Sequence, residues 1–138
     1  MQKNGVDTKK YFDRAIRYWK NGKATIKDVG IKYGAIYEDE KPVREACGIA
    51  YLGVVEAANG FFLSRGVDKK KLPQSDDAIL QMLSKHNIKN GKVIKHFTIA
   101  YHLLHEFGYY HGNTSVETIK KGFQSAREFI EMLTDRKV

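Results

Sequence analysis

The segment Ala100 to Ser115 reads AYHLLHEFGYYHGNTS and gathers three histidines, a glutamate and three tyrosines within sixteen positions. Those residue types could do three kinds of chemistry. His102 with His105, or with Glu106 four positions on, has a spacing that could chelate a metal, and His111 could fold back after Gly108 as a third ligand. His111 with Tyr110, and with a neighbouring basic side chain such as Arg44 from another element, could contribute to binding or cleaving RNA. Tyr109, Tyr110, His111 and Asn113 could instead form a recognition surface, because tyrosine and histidine beside basic side chains suit a protein partner or a nucleic acid base.

The rest of the sequence narrows these chemistries. A zinc site normally draws three or four ligands from more than one element, the order here is HxxHE rather than the HExxH of a zincin, and no CxxC pair occurs. No metal or cofactor is therefore expected. Ser64, Ser75, Ser84, Ser115 and Ser125 lie outside any GxSxG turn, and the chain has neither a P-loop nor a dinucleotide fingerprint. Cys47 stands in an apolar helical pattern and reads as a buried, inert thiol. Asp39 and Glu40 flank a turn, while Asp76 and Asp77 suit the amide end of a helix. The balance favours a protein that is not an enzyme.

Helices must position the polar segment. A fourth helix is expected over Lys92 to Phe107, with Val93, Phe97, Ala100, Leu104 and Phe107 on its apolar stripe. At 100° per residue His102 then lies opposite that stripe, flanked by His105 and Glu106, so all three should face solvent. Gly108 fits the left-handed end of this helix. Thr114 and Glu117 match a capping box that opens a fifth helix with the stripe Val116, Ile119, Phe123, Ala126, Ile130 and Leu133.

Upstream, a first helix is expected from Asp7 or Thr8, with Phe12, Ile16, Trp19 and Ile26 inward and Lys10, Arg14 and Arg17 in solvent. Gly30 and Gly34 interrupt the periodicity before Pro42 opens a second helix, about Lys41 to Ser64. There Ala46, Ala50, Gly53, Ala57 and Gly60 trace a stripe of small side chains. Glycine within a helix costs about 1 kcal/mol relative to alanine, so another backbone should pack closely along that stripe. Tyr51, Val55 and Phe62 fall on the far side, giving a helix with two apolar faces, either central or shared with a partner chain. A short third helix spans Asp76 to Lys85, and Asn90-Gly91 reads as a turn. Alternating runs of strand type are absent. The expected fold is all-α, an antiparallel four-helix-type bundle with one extra short helix, forming a single domain over 1–138.

The chain has 138 residues and a formal net charge of +8, a field that would attract nucleic acid, acidic protein or anionic lipid. Its basic residues are spread along the chain rather than gathered in a tract. No window offers the roughly 18 uninterrupted apolar positions of a membrane span, and the first ten residues carry no apolar leader, so a cytoplasmic location is expected.

The second helix, REACGIAYLGVVEAANGFFLSRGV, and the final helix pair joined by GYYHGNTS together resemble the HEPN-like helical bundles of bacteria. More narrowly, the stretches at Ala46 to Val54 and Tyr109 to Val116 are similar to the ACGxAYLGV and GYYxGNTSV patterns of a small uncharacterised bacterial family of that type. The resemblance implies a homodimer, and either a metal-independent ribonuclease or a module that binds a nucleotidyltransferase partner. The ribonucleases of that group carry arginine followed four to six residues later by histidine. None of Arg14, Arg17, Arg44, Arg65, Arg127 and Arg136 has a histidine at that distance, so the resemblance carries the fold and dimerisation further than catalysis.

Overall fold

Small side chains let the first two helices approach closely. In the computed structural model, which describes residues 2–86 and 91–138 with side chains from residue 7 onward, α1 (Gln2–Lys27) lies along α2 (Glu40–Ser64) over most of their length. Ala46, Ala50, Gly53, Ala57 and Gly60 are all buried. A Cβ added at Gly53 would sit 2.7 Å from the Ala15 carbonyl oxygen and 3.2 Å from the Trp19 amide nitrogen. One at Gly60 would meet the Phe12 ring at 2.6 Å, and one at Gly22, on α1, would lie 2.8 Å from the carbonyl oxygen of Ala46. The close backbone expected beside the stripe is α1.

α1 begins at Gln2 rather than at Asp7 or Thr8. Neither residue caps it, because no proline stops a helix nucleated against α2 from propagating toward the N-terminus. Arg14 is also not free in solvent: its Nε lies 3.2 Å from the Glu56 carboxylate of α2, and its guanidinium sits 4.5 Å from the centre of the Tyr11 ring.

Between α1 and α2 the chain forms a hairpin that the all-helical expectation lacked. β1 (Ile31–Lys32) pairs antiparallel with β2 (Ile36–Tyr37), Ile31 opposite Tyr37 and Lys32 opposite Ile36. Two-residue strands are too short to show alternation. Tyr33 and Gly34 both have positive φ, at 56° and 65°, and the Ala35 N–H donates to the Lys32 carbonyl, the geometry of a primed hairpin turn. The hairpin holds the start of α5 (Val116–Thr134): Tyr37 N–H donates to the Thr114 carbonyl at 2.9 Å, and Val116 N–H to the Ala35 carbonyl at 2.9 Å.

That tie shifts the cap of α5 by one residue from Thr114. Ser115 takes the cap, its hydroxyl accepting from the Thr118 N–H, while the Asn113 side-chain oxygen accepts from the Ser115 N–H at 2.8 Å. A short 3₁₀ turn, Lys69–Lys71, leads to α3 (Asp76–His86), and α4 (Lys92–Ala100) continues without interruption into a π-helical segment, Tyr101–Tyr110. Of the predicted Asn90-Gly91 turn, Asn90 lies outside the described residues, and Gly91 has φ of 90°.

The core fills the space between α2, α4, the π segment and α5, with Phe62, Phe97, Leu104, Ile119, Phe129 and Ile130 fully buried. Tyr51 and Phe62, expected on the far side of α2 from the small-residue stripe, are buried there too. α2 is therefore enclosed on two sides, and its open face narrows to Ile49, Leu52 and Val55. By length and composition α2 is apolar enough to cross a bilayer, yet most of its apolar stretch is buried inside the fold.

Candidate functional site: an aromatic groove on the second helix

The groove begins with the winding of residues 101–110. A regular α-helix turns residues four apart by about 40°, whereas the wider π turn brings them nearly into line. Tyr101, His105 and Tyr109 consequently form one column, the Tyr101 and His105 rings stacked at 5.4 Å and 28°, and His105 and Tyr109 at 6.0 Å and 18°. Tyr51 closes on the column from α2, its ring 4.9 Å from that of His105. The Tyr51 hydroxyl donates to the Asp76 carboxylate at the start of α3, and burial, with that bond second, pushes the phenol well above its ordinary range. Tyr51 thus locks the column from beneath. Sequence reading missed this role, although an aromatic with a polar tip within an apolar face was its signal.

The same winding corrects three expectations. His105 does not face solvent with His102 but is half-buried in the aromatic column. Phe107, expected on the inner stripe, is 42% exposed. Gly108 does not end the helix in a left-handed conformation; it is buried inside the π segment, where a Cβ would collide with the Cys47 sulfur, and Gly112 takes the positive φ, 69°. The α-helical wheel failed because the segment is not an α-helix.

The weak metal candidates do not converge. His102 Nδ1 lies 2.5 Å from the Glu106 carboxylate on the exposed side, while His105 is committed to the column. Among the described residues no group of three or more histidine, cysteine, aspartate or glutamate side chains could hold a metal ion. Cys47 is fully buried, and burial pushes its thiol up to about 12, which fits its reading as inert.

The loop residues part company. Tyr109 lies across Gly48 of α2, where a Cβ would meet its ring at 2.9 Å. Tyr110 is 70% exposed, with the His111 ring 5.4 Å away in an edge contact. Asn113 holds the turn: its N–H donates to the Phe107 carbonyl at 2.7 Å and its side-chain oxygen accepts from the Ser115 N–H. Arg44 lies beneath Gly112, paired with Glu40 at 3.0 Å. The recognition and proton-transfer candidates thus split into an aromatic wall, an exposed tip and a structural turn.

Between that wall and α2 lies a groove of about 430 Å³, floored by Gly48, Ile49, Leu52 and Val55 and walled by His105 and Tyr109, with Glu45 at one end. Leu52, part of that lining, is 53% exposed. Glycine at 48 makes the concavity, because any larger residue would displace Tyr109. Its walls offer apolar and aromatic surface, and the single carboxylate lies at the end.

The chain is thus a mainly helical domain with a shallow aromatic groove on its central helix. It belongs to the family described as a domain of unknown function, DUF5618, whose model matches residues 10–135. Among solved structures it is similar to a protein of unknown function from Dyadobacter fermentans, at 29% identity and a TM-score of 0.78, covering 94% of this chain and 98% of that one. A comparison with curated proteins gives no match.

Proposed function

We propose that this protein is a non-enzymatic interaction module of the HEPN-like bundle type, acting in the cytoplasm as a homodimer and pairing in turn with a protein partner of the nucleotidyltransferase kind. The observation that supports it is the open strip of α2. Leu52, 53% exposed, lines the groove made by the absence of a side chain at Gly48, so one apolar surface carries both an exposed side chain and a recess. A surface that is its own complement suits a two-fold contact, in which the same patch of each copy meets the other. Tyr109, at 48% exposure, extends it with aromatic area of the kind that dominates protein interfaces.

Light scattering over a concentration series tests the reading. The chain should run as a dimer, and Leu52→Glu should yield a monomer with an unchanged fold by circular dichroism. A chain that is monomeric at all concentrations overturns it.

A second reading, favoured by the exposed Tyr110 and His111 and the net charge of +8, is single-stranded RNA binding or metal-independent cleavage at the Tyr109–His111 loop. It requires RNA affinity that falls steeply with added salt and drops on Tyr110→Ala. Cleavage must disappear with His111→Ala, and RNA that neither binds nor is cut rejects this reading.

A further inference from the structure

On a different face, where the C-terminal end of α1, the hairpin and α5 meet, lies a second cavity of about 330 Å³. Its apolar lining comes from three elements: Ile26 of α1, Ile31 and Tyr37 of the hairpin, and Ile119 and Phe123 of α5, with Val29 between the first two. Lys23, Lys27 and Lys120 stand in the same lining, and no carboxylate does. None of the three lysines forms an ion pair among the described residues, although five lysine or arginine ion pairs among those residues tie up other charges. The Lys23 ammonium is held over the cavity wall, 5.8 Å from the centres of both the Trp19 and Phe123 rings.

These features have one ligand chemistry in common. Three unneutralised ammonium groups call for an anion, and because lysine acts as a point charge on a flexible stem, they select charge rather than the planar geometry that an arginine fork would. The apolar walls call for a hydrocarbon body. Filled at roughly 30 Å³ per group, the share of one water in the liquid, the cavity holds about ten non-hydrogen atoms. We infer that this cavity is a binding site for a small amphiphilic carboxylate, with an apolar body of that size against Ile26, Ile119 and Phe123 and its carboxylate among Lys23, Lys27 and Lys120. The site is independent of the α2 groove and of any dimer built on it.

Trp19 is the only tryptophan of the chain, and it touches the cavity wall through its edge contact with Phe123 at 6.2 Å and its indole bond to the Phe123 carbonyl at 3.0 Å. Its emission therefore reports occupancy. Titration of the intact protein with octanoate should give a saturable change, whereas acetate, which lacks the body, and octanol, which lacks the charge, should each bind weaker by about tenfold or more. Lys27→Glu with Lys120→Glu should weaken octanoate by a similar factor. Both side chains are exposed, so an unchanged thermal melt of the double variant will verify its fold. Three results overturn the proposal: no saturable response by emission or by shifts of the backbone amide resonances of α5, octanol binding as well as octanoate, or undiminished octanoate affinity in the folded double variant.

Discussion

Glu56 is a half-buried carboxylate that looks out from α2 onto a single cation, Arg14. Burial raises its carboxyl above the ordinary value of 4.5, and Arg14 pulls it partly back. A carboxyl raised by folding holds its proton more tightly in the native state, so its contribution to stability is best at low pH and is lost as pH rises from about 4.5 through the raised native value. Arg14→Ala removes the compensating charge and leaves the desolvated carboxylate. The expected loss at pH 7 is about 1–2 kcal/mol after allowance for partial exposure, and it should shrink at pH 4, where Glu56 is largely protonated. Urea melts at the two pH values measure it. An equal loss at both would assign the role of Arg14 to its packing on Tyr11 instead.

At the scale of elements, the α1–α2 seam inverts a rule of helix propensity. Alanine is favoured over glycine within a helix by about 1 kcal/mol, so a free helix would gain from Gly53→Ala. Here the added methyl would meet the Ala15 carbonyl and the Trp19 amide, backbone atoms that can move only if α1 moves. Gly53→Ala should destabilise by about 1–3 kcal/mol. Gly60→Ala should cost less, because its methyl meets the ring of Phe12, a side chain able to rotate. Chemical denaturation of the two variants gives the order, and a stabilised Gly53→Ala would mean that the helices are less tightly seated.

This seam was also the most legible part of the chain, since Ala46, Ala50, Gly53, Ala57 and Gly60 keep helical spacing and small residues have one common reason to do so. The π segment was not legible. Residues 92 to 107 carry an acceptable α-helical stripe, and nothing in their types announces that the winding widens after Ala100. The contact that accommodates it, Gly108 against Cys47, joins residues 61 positions apart. His105 and Phe107 were misplaced for that reason, and the candidate site was read as a solvated helix face plus a loop rather than as the wall of a groove. The hairpin escaped notice because two-residue strands have no periodicity, even though Gly34 marked its turn.

For the whole molecule, the proposed dimer on the α2 strip would couple folding to assembly. The midpoint of thermal unfolding should then rise with protein concentration for the natural chain and stay constant for Leu52→Glu. The charge of +8 does not oppose such pairing locally, because the strip itself carries no lysine or arginine and a single carboxylate, Glu45, at the end of its groove.

Cys47 gives this architecture an internal clock. Its sulfur packs against the backbone of Gly108, so lifting of the 101–110 segment from α2 opens a path to it for a thiol reagent. The labelling rate of the chain's single cysteine, set against that of the unfolded protein, then measures how often the wall of the groove breathes. That rate should slow as copies associate over the strip, so that one atom in the interior registers what happens at the surface.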